Sequence, residues 1–224
     1  MGKITSKNLK FVNINLTKKM DLFSQFNDIS DNLLPEDGRV FYHGMILEKE
    51  ETKTYFERLM KNIEWINDEV LIFGRRIVTK RKVAWYAEKP FKYSYSNMTK
   101  VAALFTEDLL ELKELVEEKT KETYNSCLLN LYHSGSEGMG WHSDDEKDLK
   151  QFGTIASLSL GAERKFVFKH KKNKNTVSLN LQNGSLLVMK GSTQKNWLHS
   201  LPSTKKVQQP RINLTFRTID EERF

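Results

Sequence analysis

Three residues with the types and spacing of a metal site lie in the C-terminal half of the chain. His142 and Asp144 are two residues apart, and His199 follows 57 residues later. On an extended segment, residues two apart project to the same face, so His142 and Asp144 could bind one ion, with His199 as a third ligand from another strand. Two imidazoles and one carboxylate suit non-haem Fe(II), because positions stay open for a co-substrate and O₂. A turn with solvated aspartates remains the alternative, since H-x-D is a short motif.

A short segment near the C-terminus has an arginine at each end. In Arg211–Arg217 three apolar residues alternate with a polar set, which consists of Arg211, Asn213, Thr215 and Arg217. If the polar side faces inward, its buried guanidinium groups require an anion, and Arg is suited to holding a carboxylate through two hydrogen bonds. If the apolar side forms the interior instead, the arginines are solvated. The alternation alone is compatible with both arrangements.

Composition excludes several classes of protein. The chain has 224 residues, 38% of them hydrophobic, which is enough for a real core. Its single cysteine, Cys127, excludes an internal disulfide and a multi-thiolate zinc site. We find no apolar run of membrane-spanning length and no apolar stretch near the N-terminus, so we expect no membrane association and no secretory signal. Walker A, G-x-G-x-x-G and G-x-S-x-G motifs are absent from the sequence.

The net charge of +7 is unevenly distributed. Residues 71–100 contain eight Lys or Arg and one acidic residue, and residues 161–210 contain ten and one. Between them, residues 101–150 contain five basic and 12 acidic residues. Clustered basic residues are typical of proteins that bind a phosphate backbone, although a merely solvated surface is the alternative.

Periodicity predicts two helices followed by a β-rich region. Apolar residues three and four apart predict amphipathic helices over Glu48–Ile66 and Thr106–Lys121, the second with Thr106 as N-cap. Six short strands are expected after Cys127: Leu128–Tyr132, Thr154–Leu160, Lys165–Lys169, Thr176–Leu181, Ser185–Met189 and Ile212–Thr218. This order predicts an α+β protein with a closed or double-sheet β core and helices on one side. Residues 1–38, which end in the turn Pro35–Gly38, are expected to form an N-terminal extension packed on this core.

Several of these segments together resemble the AlkB family of Fe(II)/2-oxoglutarate-dependent dioxygenases, and are most similar to the branch of the eukaryotic DNA-repair AlkB homologues. The segments that carry the resemblance are Asn130–Tyr132, Trp141–Glu146, Ile155–Ala162, Asn183–Met189, His199–Pro202 and Pro210–Arg217. The resemblance implies a double-stranded β-helix, or jelly roll, with N-terminal helices packed on one sheet and a nucleotide-recognition lid. It places the dioxygenase domain at residues 39–224 and the lid at about 71–100.

The same resemblance implies a role for individual residues. The catalytic Fe(II) ligands would be His142, Asp144 and His199, and the 2-oxoglutarate contacts would be Asn130, Tyr132, Arg211, Asn213, Thr215 and Arg217. The resemblance also implies that O₂ is consumed as a co-substrate together with 2-oxoglutarate. The substrate contacts implied are Phe73, Arg81, Tyr93, Tyr95, Ser96, Asp145, Glu146, Lys171 and Lys172. In this assignment Tyr95 and the His142 imidazole sandwich a flipped base, and Phe73 is a wedge in the duplex, with a core residue at the end of a strand as the alternative. The basic segment at 161–210 indicates that Lys171 and Lys172 grip the DNA, with a solvated turn as the alternative.

The activity implied is oxidative demethylation of N-alkylated bases, such as 1-methyladenine and 3-methylcytosine, in DNA or RNA, with release of formaldehyde. Two alternatives remain: a 2-oxoglutarate dioxygenase that acts on RNA, protein or a small molecule, and a non-catalytic jelly-roll module that binds nucleic acid. Alkylated DNA is the expected partner of a monomeric protein. We expect an intracellular location, cytoplasmic in a bacterium and nuclear in a eukaryote.

Overall fold

The computed structural model of the chain describes residues 31–72, 75–95 and 98–223. Three α-helices are present in these ranges: α1 (Lys49–Asn62), α2 (Glu107–Thr120) and α3 (Thr193–Asn196). The strands are β1 (Arg39–Met45), β2 (Ile66–Ile72), β3 (Arg75–Ala87), β4 (Lys92–Tyr95), β5 (Met98–Val101), β6 (Ala103–Leu104), β7 (Ser126–Tyr132), β8 (Met139–His142), β9 (Ile155–Gly161), β10 (Arg164–His170), β11 (Thr176–Leu181), β12 (Ser185–Lys190), β13 (Trp197–Leu201) and β14 (Arg211–Arg217). No helix in these ranges is long and apolar enough to cross a membrane.

Two antiparallel sheets form the β core. The major sheet has the order β1-β12-β9-β14-β7-β3-β2, and β6 joins β3 in parallel. The minor sheet has the order β11-β10-β13-β8, and β4 and β5 form a separate hairpin. Phe166 and Phe168 of the minor sheet belong to one buried cluster with Tyr132, Leu187 and Met189 of the major sheet. This face-to-face packing confirms the predicted jelly roll.

The two long helices cover the outer face of the major sheet. Helix α1 begins with a capping box between Glu48 and Glu51, and in α2 the Thr106 hydroxyl accepts a hydrogen bond from the Leu109 N–H, as predicted. Apolar residues of both helices are buried in one cluster with the outward-facing residues of β7, β9 and β14. The predicted end of the first helix was wrong, because the backbone is already extended at Ile63 and Ile66 begins β2, where it is 54% exposed.

Strand β14 lies in the middle of the major sheet, with both faces buried. Ile212, Leu214 and Phe216 pack against the helical layer. The opposite face therefore points between the two sheets, and Arg211 and Arg217 lie there, 2% and 8% exposed. The structure thus selects the inward arrangement of the arginines.

The N-terminal extension and the lid are described only in part. Of the extension, residues 31–38 are described: Leu34 is buried in the inter-sheet cluster, and the Glu36 carbonyl accepts a hydrogen bond of 3.0 Å from the Trp197 indole. Strands β2 to β5 occupy much of the predicted lid. The division into an extension, a domain and a lid stays a prediction.

Candidate active site

The predicted metal ligands meet at the edge of the minor sheet. Strands β8 and β13 pair so that His142 lies opposite His199, and Asp144 follows two residues beyond the end of β8. The His142 Nε2 and His199 Nε2 atoms lie 3.7 and 3.8 Å from the Asp144 Oδ1 atom. All three ligand atoms lie within 4.8 Å of one another. Residues from two strands and a loop are therefore brought to one point, as the metal prediction requires.

Hydrogen bonds orient this group. The carbonyl of Gly140 lies 2.8 Å from the His142 Nδ1 atom, and because a carbonyl can only accept, Nδ1 carries the proton and Nε2 is left as the ligand. The Asp144 backbone N–H donates to the Gln194 side chain at 3.0 Å. Burial, with smaller effects of His142 and Lys171, lowers the pKa of His199 to about 3. His199 is therefore neutral near pH 7, which is the form that binds a metal.

The donor set fits Fe(II). Two imidazole nitrogens and one carboxylate oxygen are the facial triad of non-haem Fe(II) oxygenases. Side-chain exposure falls from 35% for His142 to 12% for Asp144 and 6% for His199, so the ion would be reached from the His142 side.

A cavity of about 170 Å³ adjoins the three ligands. The three metal ligands line this cavity. So do all six residues predicted to hold 2-oxoglutarate: Asn130, Tyr132, Arg211, Asn213, Thr215 and Arg217. The strand register explains the grouping, because Arg211 pairs with Tyr132 and Asn213 pairs with Asn130 between β14 and β7. Residues two apart on each strand thus share the inner face.

Arg211 lies at the deep end of this cavity, where it is 2% exposed. One terminal nitrogen donates to the Ser159 hydroxyl at 2.9 Å and to the Asn213 carbonyl oxygen at 2.7 Å. In the described part of the chain no carboxylate forms an ion pair with this guanidinium, and its Nε has no hydrogen-bond partner. Burial lowers the pKa of Arg211 to about 10, which still leaves it charged near neutral pH. A buried cation in this state calls for an anionic ligand.

Arg217 lies at the other end, close to the metal ligands. Its Nη1 atom is 3.3 Å from the Glu146 carboxylate and 3.9 Å from Asp144 Oδ2. Its Nε and the Asn130 side-chain oxygen are buried without hydrogen-bond partners among the described residues. A ligand that carries a carboxylate would satisfy the Arg217 Nε donor, because unpaired buried polar groups are costly.

Two serines of β9 support the cavity, Ser157 as a wall residue and Ser159 as a partner of Arg211, and no role was predicted for them. Ser159 accepts a hydrogen bond from Arg211, and Ser157 donates to the Asn213 side chain at 2.9 Å. Register with β14 places them opposite Asn213 and Thr215. Their period-two spacing in the segment Ile155–Gly161 was the available signal, since polar residues that alternate with apolar ones in a buried strand need partners inside.

A larger cleft of about 510 Å³ opens beside the metal ligands. Arg81 lines it, and its guanidinium forms an ion pair with Asp68 and contacts the Met139 sulfur at 2.9 Å. Trp85 also lines the cleft, with its indole N–H donating to Ser126 at 2.8 Å. The cleft and the smaller cavity share wall residues, namely Leu128, Asn130, Met139, Glu146 and Arg217. Asp68 and Met139 were missed as site residues, because only their place in the fold brings them here.

Of the other predicted substrate contacts, some line the cavity or the cleft and others do not. Glu146 lines both the cavity and the cleft, whereas Asp145 lines a separate pocket and lies 3.5 Å from the Lys171 ammonium. Lys171 turns back onto the protein, donating to the Ser143 hydroxyl and the Gln194 carbonyl, whereas Lys172 is exposed.

Besides Arg81, four predicted contacts lie in the lid. Tyr93 and Tyr95 belong to β4, of which only the backbone is described, and Phe73 and Ser96 lie outside the described residues. The roles of all the predicted substrate contacts stay predictions.

Comparison with known proteins agrees with this geometry. Residues 38–217 match the model of the 2OG-Fe(II) oxygenase superfamily. The chain is 37% identical over 186 residues to human DNA oxidative demethylase ALKBH2, a match that covers 78% of this chain and 71% of that protein. It is 35% identical over 191 residues to human alpha-ketoglutarate-dependent dioxygenase alkB homolog 3, covering 81% and 66%.

A plant relative and a solved structure extend these findings. DNA oxidative demethylase ALKBH2 of Arabidopsis thaliana is 32% identical over 207 residues, covering 80% of this chain and 66% of that protein. The solved structure of OsALKBH1 superposes with a TM-score of 0.59 at 15% identity, covering 80% of this chain and 97% of that one, which supports the fold. The chain belongs to the AlkB family within the 2OG-Fe(II) oxygenase superfamily and is an Fe(II)/2-oxoglutarate-dependent dioxygenase.

Proposed function

We propose that the protein repairs alkylated DNA by oxidative demethylation of bases such as 1-methyladenine and 3-methylcytosine, with release of formaldehyde. The observation that carries the proposal is a second cleft, about 510 Å³ in volume, which shares wall residues with the metal and co-substrate cavity and has an aromatic and an arginine in its own wall. Such a cleft can take a nucleobase extruded from a strand. The names of the ALKBH2 relatives support DNA as the substrate.

The protein residues of the site mainly bind and orient. Bound Fe(II) would supply the O₂ activation that couples decarboxylation of 2-oxoglutarate to oxidation of the methyl group. Arg211 would hold the distal carboxylate, while the Arg217 guanidinium offers donors close to the ligand Asp144. Leu128 and Met139 supply apolar surface to the wall that the cavity and the cleft share. This arrangement presents the methyl group to the metal site in a fixed geometry.

A base must leave its helix to reach such a buried site. Extrusion costs a few kcal/mol, and least for a damaged base, which pairs poorly. The surplus of basic residues at 71–100 and 161–210 supplies phosphate contacts that offset this cost. Both the charge pattern and the cleft therefore favour nucleic acid over a protein or a small molecule as the substrate.

The test is to incubate the protein with Fe(II), 2-oxoglutarate and oligonucleotides that carry 1-methyladenine or 3-methylcytosine, as DNA and as RNA. Loss of 14 Da from the DNA strand, about the mass of one methylene, with stoichiometric succinate and formaldehyde, is the expected result. Asp144→Ala serves as the control without a complete ligand set. Turnover of RNA alone would move the substrate to RNA, and unchanged masses for both strands would refute the demethylase proposal.

A further inference from the structure

An exposed tryptophan stands directly beside a metal ligand and has no role in the cavity. Trp141 precedes His142 in β8 and is 43% exposed, whereas the His142 side chain faces the metal site. Its ring lies under the ammonium of Lys169, 4.0 Å from the nitrogen to the ring centroid.

A β-bulge explains why this side chain points outward. Between β8 and β13, His142 pairs with His199 and Met139 pairs with Leu201, so three steps along β8 match two steps along β13. Met139 and His142 therefore both face inward, and Gly140 and Trp141 make up the bulge. Bulges at sheet edges and beside active sites commonly redirect a side chain. Here the bulge leaves the indole outside the sheet, next to the rim of the active site.

The position of β8 connects this indole to the proposed substrate cleft. Strand β8 is an edge strand of the minor sheet, and Met139 at its start is part of the wall of the cleft. The cleft is also bounded by Glu146, four residues after His142 in the chain. The edge strand that carries Trp141 therefore borders the cleft.

The charge of the surface around Trp141 suits a phosphate backbone. None of the four strands of the minor sheet contains an Asp or Glu, while β10 supplies Lys165 and Lys169. Lys172, in the turn after β10, is exposed as well. A basic surface with an exposed aromatic ring is the combination that proteins use to bind single-stranded nucleic acid, because bases stack on the ring while cations contact the phosphates.

We propose that Trp141 is a stacking platform for an unpaired base that neighbours the base in the cleft, and that it selects single-stranded substrate. Lys169 fixes the indole from one side and reaches the adjoining phosphate. A base within a duplex has both of its faces covered by neighbouring bases, so the platform distinguishes the two strand forms. This inference rests on the proposed function, which supplies the base in the cleft.

Binding of unmodified oligonucleotides tests the platform without requiring turnover. Loss of stacking predicts that Trp141→Ala binds a single strand about 10-fold more weakly, whereas Trp141→Phe retains most of the affinity and duplex binding changes little. Leu110→Ala on α2 is the matched control, because Leu110 is also 43% exposed but lies on the helical layer. Lys169→Ala should weaken binding and lower the salt slope by about one.

Two outcomes separate this inference from the proposed function. With a methylated single strand, Trp141→Ala should raise KM about 10-fold and leave kcat at saturation unchanged. Equal single-strand affinity and equal KM for Trp141→Ala and wild type would overturn the platform, even if demethylation is intact. Equal losses on single strand and duplex would overturn the selectivity. Absence of demethylation in the wild type, with single-strand binding still dependent on Trp141, would instead refute the proposed function alone.

Discussion

Arg211→Met tests whether the buried guanidinium exists for the co-substrate or for the fold. Arg211 donates to Ser159 and Asn213 from one terminal nitrogen, which leaves the rest of the guanidinium for a ligand. Two charge-assisted hydrogen bonds to a carboxylate are worth about 1.5–3 kcal/mol each, so their loss should weaken 2-oxoglutarate binding about 100-fold or more. Arg211→Lys keeps the charge but loses the planar pair of N–H donors, and we expect it to weaken 2-oxoglutarate binding about 10-fold or more.

Although Arg211→Met should weaken 2-oxoglutarate binding, it should not lower the stability of the fold. Without its ligand, Arg211 is a buried cation that has no carboxylate partner among the described residues, and its replacement by an apolar side chain removes a desolvation cost. We therefore expect the free energy of unfolding of the metal-free protein to change by no more than about 1 kcal/mol, or to increase.

Arg164→Met is the matched control, because Arg164 is also 2% exposed. Its guanidinium donates to four backbone carbonyls, those of Ser134, Gly135, Glu137 and Pro202, at 2.8–3.4 Å. Their loss should lower the free energy of unfolding by about 3–5 kcal/mol.

Both quantities can be measured on the same samples. Anaerobic calorimetric titration of 2-oxoglutarate, with Mn(II) in place of Fe(II), gives the dissociation constant, and urea unfolding gives the stability. Unaltered 2-oxoglutarate affinity in Arg211→Met would refute the anion site. A loss of stability as large as that of Arg164→Met would show that Arg211 is held for structural reasons.

Three further predictions concern the metal ligands, the basic turn and pH. His142→Ala should abolish turnover and lower the iron content measured after desalting, and retained activity would disprove its assignment as a ligand. Lys172→Ala, at the exposed lysine of the turn, should weaken duplex binding and flatten its salt dependence, while 2-oxoglutarate turnover without DNA stays unchanged; an unaltered salt slope would contradict a DNA grip. Folding lowers the pKa of His199 from 6.5 to about 3. At a pH between these two values, His199 is therefore protonated in the unfolded chain and neutral in the folded protein. The metal-free protein should thus lose stability as the pH falls from 7 to 5, and urea unfolding of His199→Leu should show a smaller loss.

Local sequence patterns were sufficient where an element carries its own periodicity. The strand Thr176–Leu181 was predicted with the bounds that the structure has, and α2 was predicted to within a residue at each end because Thr106 caps it. By contrast, β8 was not predicted, since its four residues contain Gly140 and a bulge in place of alternation. Its strand geometry comes from pairing with β13, more than 50 residues away. Pairing at that distance leaves no trace in a local window.

The contacts of a charged side chain could not be predicted from the sequence either. Lys171 was predicted to project toward DNA, yet its ammonium contacts Ser143, Gln194 and Asp145, because the turn after β10 lies beside the loop that carries Asp144. The alternation of β14 was also ambiguous by itself. A strand between a helical layer and a second sheet is buried on both faces, so hydrophobicity does not identify the interior.

Strand register is what links the metal site to the co-substrate site. Pairing between β8 and β13 brings the two histidines together, while pairing of β14 with β7 and β9 aligns Arg211 and Asn213 with Tyr132 and Ser159. If β8 shifted by one residue against β13, or β14 against β7 and β9, the site residues of the shifted strand would turn to the opposite face. The apolar residues on the outer face of the major sheet, which pack against α1 and α2, fix that register. The helices thus contribute to catalysis without touching the site, because they hold the polar face of β14 toward the metal ligands.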